Sequence, residues 1–262
     1  SNRNFFASDD RKYDYTHVLL DGATGIIADL DGKLITKGFD EVFYWLPACM
    51  PSHVFNDSNQ LLGEIESRYQ LHSNRASQIK HIAEQEGAQI LTGKNIYLLH
   101  PFGWYPYGHL LDSLQRLFNL RADDVDNGKD RFLVSNHSRV TDFSDHFQAL
   151  SGLSYSKAMQ VEKSKIYYCE SLCVPVSPAV PTTFTINSYN WIVQSYLQYF
   201  GLLSPSFIQA QPTTRLYLSR NHVVPGKRSV LNEAELTDLL ISKYGFTVVT
   251  GNESLREIVS PV

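Results

Sequence analysis

Residues 215–250 read RLYLSRNHVVPGKRSVLNEAELTDLLISKYGFTVVT, and this stretch decides the fold class. Arg215 to Ser219 has the apolar content of a strand, Glu233 to Lys243 reads as a helix, and Phe246 to Thr250 as another strand. Within the helix, Leu236, Leu239, Leu240 and Tyr244 form one apolar stripe. Asn232 is placed to cap its start, Glu235 stands three residues on as in a capping box, and Gly245 follows as a stop. Strands alternating with helices predict an α/β protein with a mostly parallel sheet.

Upstream the same alternation holds. Strands are expected at His17 to Leu20 and Gly25 to Ile35, around Asp21-Gly22 and Asp31-Gly32, where glycine accepts positive φ cheaply. Phe43 to Leu46, Ile90-Leu91, Asn95 to Leu99, Arg131 to Ser135, Lys165 to Cys169 and Leu172 to Val176 follow as further short strands. Helices are expected at Asn74 to Glu86, His109 to Leu120, Asp142 to Leu150 and Asn187 to Phe200. Gly201 to Thr214, with Pro205 and Pro212, is the linker candidate. It divides the chain into an α/β domain over 1–205 and a second unit over 212–262.

Composition narrows the functional classes. The 262 residues suit one large or two modest domains, and 43% hydrophobic against 19% charged residues argues for a folded chain. A formal net charge of −4 excludes a strongly basic nucleic-acid binder. Three cysteines cannot make a disulfide framework, and Cys169 and Cys173 lack the clustered partners of a zinc site, so they read as buried or incidental thiols. The longest apolar run, Trp191 to Leu203, is broken by Gln194, Ser195, Gln198 and Gly201. It falls short of a membrane span, which needs about 20 mostly apolar residues. The polar start, Ser1 to Tyr15, is no signal peptide, and the expected location is cytoplasmic.

Two constellations can carry chemistry. The first is His109 with Asp112. At about 100° per residue, His109, Asp112 and Arg116 fall together opposite the apolar face of Leu110, Leu111, Leu114, Leu117 and Phe118. That side is either plain solvent surface or the wall of a cleft, where a histidine takes a hydroxyl proton and a carboxylate orients it. The second is the basic loop between a strand and a helix, with Arg215, Arg220, His222, Lys227 and Arg228. It is either a solvated loop or an anion site beyond a strand's carboxyl end. Guanidinium forks there match phosphate oxygens. Asp29-Leu30-Asp31 and Asp124-Val125-Asp126 look like Asp-x-Asp metal motifs but read as turn formers. No Walker loop, Gly-x-Gly-x-x-Gly or Gly-x-Ser-x-Gly elbow occurs.

Tyr107-Gly108-His109-Leu110-Leu111-Asp112-Ser113-Leu114-Gln115-Arg116-Leu117 resembles the N-Y-x-H-W/F-L-x-D-x-L-P-R-L segment of glycosyltransferase family 61. The later run is similar to that family's donor-half signature: Arg215 to Arg220, then Arg228, Asn232-Glu233, Gly245-Phe246 and Glu253-Ser254-Leu255. The resemblance extends from about His17 to the end. Gln115 stands where the family carries proline. The resemblance further implies that the donor half is incomplete, by about a hundred residues of an ordinary domain.

The resemblance implies a GT-B-like architecture, with a Rossmann-like N-terminal half on the acceptor side and the start of a second Rossmann-like half, over 212–262, binding a nucleotide-sugar donor. It implies inverting, metal-independent transfer of a hexosyl or pentosyl group to a glycan or polysaccharide, without a cofactor, in capsular polysaccharide biosynthesis. His109 is then the candidate base and Asp112 its orienter. Arg220, Arg228, Asn232 and Glu233 are the candidate donor diphosphate site. A lipid-linked acceptor would bring the chain to the inner membrane as a peripheral protein. The alternative is a non-catalytic relative that binds a glycan or a partner protein.

Overall fold

The computed structural model describes residues 12–36, 58–99, 113–120, 125–126, 129–134, 143–178, 185–203, 214–219 and 230–250. They form a mixed α/β structure in two compact units, residues 1–193 and 194–262. The first unit is built on β1 (Lys12–Asp21), β2 (Ile27–Ala28), α1 (Ser58–Glu86), β3 (Gln89–Leu98), β4 (Arg131–Val134), α2 (Phe143–Ser151), β5 (Ala158–Gln160) and β6 (Ile166–Pro175). Its six strands run in the order β2-β1-β6-β3-β4-β5.

The strands β6, β3, β4 and β5 are parallel, whereas β1 is antiparallel to β6 and β2 antiparallel to β1. The sheet is therefore mixed, with an antiparallel flank on a parallel block. Read from the far edge, the block is β5-β4-β3-β6: three strands laid outward in one direction, then the next placed on the other side of the first. That is the order of a doubly wound sheet, and its reversal point lies between β3 and β6.

Strand alternation sends the apolar residues to two faces. Val18, Leu20, Tyr97, Leu133, Cys169, Leu172 and Val174 share one core. Leu19, Ile26, Ala28 and Ile166 meet Ala76 and Ile79 of α1 in another. Cys169 and Cys173 are buried free thiols, pushed up to about 12 by burial. At the end of β1, Asp21 is 1% exposed and binds Arg75 of α1 through two contacts, Nε–Oδ2 at 2.8 Å and Nη2–Oδ1 at 3.1 Å. Thr24 Oγ1 adds a bond of 2.6 Å to the same carboxylate.

Two turn expectations resolve differently. Gly32 has φ +79°, as expected. Gly22 owes its place to close approach instead: a Cβ there would lie 2.1 Å from the Glu162 carbonyl oxygen, and its N–H donates to Lys165 O. Asp29 is a turn former, its Oδ1 accepting from the amides of Asp31 and Lys33. The expected strand at Phe43 to Leu46 lies outside the described residues.

The helix α3 (Ile186–Tyr199) passes from the first unit to the second at residues 193–194. Its start is capped reciprocally: Ser188 N donates to Thr185 Oγ1 and Thr185 N to Ser188 Oγ, both at 3.1 Å. The second unit contains β7 (Arg215–Leu218), α4 (Glu233–Tyr244) and β8 (Phe246–Val249), with β7 and β8 paired in parallel. Gly245 ends α4 in the left-handed conformation, its N–H bonded to Ile241 O, as the sequence predicts. Asn232, by contrast, makes no side-chain capping bond, so the expected capping box is absent.

Leu216 and Leu218 of β7 are 51% and 64% exposed, unusual for parallel strands, which ordinarily have both faces covered. We expect the amides of Leu216, Leu218, Val248 and Val249 to exchange hydrogen faster than those of Ile96, Leu98, Leu172 and Val174. Equal protection in a proven monomer would show that the second unit is as well packed as the first.

Candidate functional site

Ligands of open α/β sheets sit beyond the carboxyl ends of the strands, where the strand order reverses. In the first unit that place is the end of β3, at Leu98, beside the end of β6, at Pro175. A 3-10 helix, Gln115–Asn119, is fastened there. Arg116 Nη1 donates to Pro175 O at 2.7 Å, and the guanidinium carbon lies 5.7 Å from the Tyr97 ring centre. Asn119 Nδ2 donates to Val176 O at 2.8 Å, and the Tyr97 hydroxyl to Gly25 O at 2.9 Å.

This corrects one reading of the helical wheel. An α-helix through His109 to Leu120 would turn Arg116 away from the core, but Arg116 is 3% exposed. The 3-10 helix has about 3.0 residues per turn, so Arg116 and Asn119 come into line and both reach the end of β6. Leu114 and Leu117 are buried as expected. His109 and Asp112 lie outside the described residues; in the chain they directly precede the anchored Ser113 to Asn119 segment. Phe118 packs edge-on against Trp191 of α3, with centroids 5.7 Å apart.

In the second unit, Glu233 opens α4 at 2% exposure, and Tyr217 of β7 donates its hydroxyl to Glu233 Oε1 at 3.2 Å. Desolvation, and then the Glu233 carboxylate, hold the Tyr217 phenol above its ordinary range. The pair clips the start of α4 to the strand whose carboxyl end faces the basic loop in sequence. Arg215, counted with that loop, donates instead to Tyr244 O at the far end of α4, where a cation meets the negative end of the helix dipole. Arg220 and Arg228, with His222 and Lys227, lie outside the described residues. Tyr217→Phe should lower the urea-unfolding midpoint of the second unit, because Glu233 loses a hydroxyl donor; an unchanged midpoint would mean the clip is idle.

A groove of about 380 Å³ lies elsewhere, lined by Leu19, Leu30, Ala83, Ala88, Ile90 and Tyr168 with Lys80 and Glu84. Ile90 stands near the amino end of β3, so the groove is at the opposite end of that strand from the reversal point. Among the described residues no helix is long and apolar enough to cross a membrane.

The family model Glycosyltransferase 61 matches residues 107–260, more than half of the chain. The chain belongs to glycosyltransferase family 61. The match spans the anchored 3-10 helix of the first unit and the strand–helix–strand of the second, and it encloses His109, Asp112, Arg220, Arg228, Asn232 and Glu233. Family 61 membership implies glycosyltransferase activity, and with it a sugar donor and an acceptor. A comparison with curated proteins gave no match. Two features of this family 61 chain are not legible in the sequence: the bond from Tyr217 to Glu233, which joins residues sixteen apart, and the inward turn of Arg116.

Proposed function

We propose that this family 61 chain transfers a sugar from a nucleotide-sugar donor to a hydroxyl of a glycan, with inversion and without a metal ion. The observation that carries the reading is the family match over 107–260, within which Gln115 to Asn119 is anchored at the end of β6, beside β3. The first unit takes the acceptor, and the second begins the donor side. The reaction is one in-line displacement. His109 accepts the proton of the acceptor hydroxyl, whose oxygen bonds to the anomeric carbon from the face opposite the diphosphate. The bond from that carbon to the diphosphate oxygen breaks, and the electron pair leaves with the nucleotide. Asp112 orients the imidazole.

Arg220 and Arg228 offset the growing charge on the leaving diphosphate, the part a metal would otherwise play. Asn232 and Glu233 shape that site. A carboxylate repels a diphosphate, so Glu233 contributes by holding the first turn of α4 through Tyr217. A capsular polysaccharide is the acceptor class we favour. A lipid-linked acceptor would hold the protein at the cytoplasmic face of a membrane without a span. Incubation with each common nucleotide sugar and a set of neutral oligosaccharides tests the reading, with release of nucleoside diphosphate dependent on both substrates as the expected result. Oligosaccharide binding with no turnover of any donor would favour a glycan-binding relative instead.

A further inference from the structure

We propose that Arg116 and Asn119 are positioning residues for sugar transfer, a clamp on the end of β6 that fixes the stretch of chain following His109 and Asp112. The inference rests on the glycosyltransferase reading, with His109 as the base. Arg116 Nη1 donates to Pro175 O at 2.7 Å, and Asn119 Nδ2 donates to Val176 O at 2.8 Å. The two donors stand one 3-10 turn apart and take the carbonyls of two successive residues. Arg116 is held from the side as well. Tyr97, fully buried and bonded through its hydroxyl to Gly25 O, sets its ring centre 5.7 Å from the guanidinium carbon.

Holding the segment against the sheet does not require these two side chains, because Leu114 and Leu117 already bury it. Apolar packing is non-directional and tolerates small slides along the strand end. Two hydrogen bonds to particular carbonyls do not, since each weakens steeply once its angle is lost. Arg116 is buried, and taking a guanidinium out of water costs free energy that an apolar side chain would not cost. The pair therefore specifies where the segment sits and in which register. Asp112 lies four residues before Arg116 in the chain, and His109 seven. Misplacing a reacting group by about 1 Å can lower the rate by about 10²-fold. A slip of the clamped helix is then felt in the transfer step before it is felt in folding.

The test is a double-mutant cycle on the full chain: parent, Arg116→Met, His109→Ala and the two together. Each is measured for kcat, acceptor KM and nucleotide affinity. Arg116→Met is expected to lower kcat by about 10²-fold with nucleotide affinity unchanged, and to cost little more when added to His109→Ala, as residues acting as one unit do. Asn119→Leu, at a half-buried position, should show the same coupling and takes the place of Arg116→Met if that variant does not fold. Additive losses, an unchanged kcat, or nucleotide affinity falling in step with kcat overturn the clamp and leave transfer itself in place. A parent that turns over no donor overturns the transfer reading, and this inference with it.

Discussion

Replacing His109 with alanine is expected to lower sugar transfer by about 10²–10⁴-fold, the worth of a positioned general base. Nucleotide binding should stay close to that of the parent, because the diphosphate is assigned to the second unit. Arg220→Ala should show the opposite bias. It removes a charge-assisted contact of about 1.5–3 kcal/mol, and so weakens donor affinity by about 10–150-fold. The split is the informative part. A damaged fold lowers both quantities together, whereas separate roles move them one at a time. If His109→Ala transfers sugar at the parent rate across pH 6 to 9, another group is the base.

The second large effect is structural. Arg75→Met should destabilise the first unit by about 3–5 kcal/mol, because it strands the buried Asp21 carboxylate without its cation. Thr24 Oγ1 and Ala23 N would still bond that carboxylate, but both are neutral donors. Arg75→Met with Asp21→Asn should recover part of the loss, as expected when two residues act as one unit. Urea unfolding of the four proteins measures this. A single Arg75 variant within about 0.5 kcal/mol of the parent, the range of an ordinary surface change, would show the pair to be dispensable. The ion pair joins residues fifty-four apart, and Asp21 looks in the sequence like no more than a turn residue. Its partner becomes visible only once α1 lies over the end of β1.

Much of the architecture was legible because apolar spacing is imposed by packing. The helix α4 and the strands β4, β7 and β8 start and end within a residue or so of where the sequence puts them. One irregularity in the sheet accounts for two differences from the expected strands. Both β3 and β6 were expected as pairs of short strands, split at Thr92-Gly93-Lys94 and at Glu170-Ser171. In the structure each is continuous, and β3 carries an irregularity between Leu91 and Lys94 opposite that part of β6. Glu170 Oε2 accepts from Gly93 N at 3.0 Å, so the polar residues that seemed to end both strands serve a bulge between them.

In the sequence the long helix α1 is legible only from Asn74 onward; among its described side chains the buried ones are Ala76 and Ile79, while Tyr69 and Leu71 are exposed. The three residues of β5 are too few to show a period. The antiparallel placement of β1 beside β6 depends on contacts about 150 residues apart, which local spacing does not encode.

The site divides along the same line. Residue types and their order were readable: a histidine and a carboxylate before one helix, arginines before another. Their setting was not. Arg116 looked like a third member of the polar face and instead pins the segment to β6, because the chain tightens into a 3-10 helix at Gln115. Glu233 is a donor-site candidate in the sequence, and the structure adds that it lies buried with the Tyr217 hydroxyl bonded to it.

Transfer of a sugar from a nucleotide to a glycan hydroxyl with inversion, as proposed for this family 61 chain, has a direct readout. Proton NMR of the purified chain, mixed with a nucleotide sugar and an oligosaccharide, follows the anomeric proton of donor and product in one tube. The expected result is a new glycosidic linkage of the opposite anomeric configuration to the donor, formed in step with nucleoside diphosphate. A product of retained configuration would contradict the single displacement, and no new linkage from any nucleotide sugar would contradict the transfer itself.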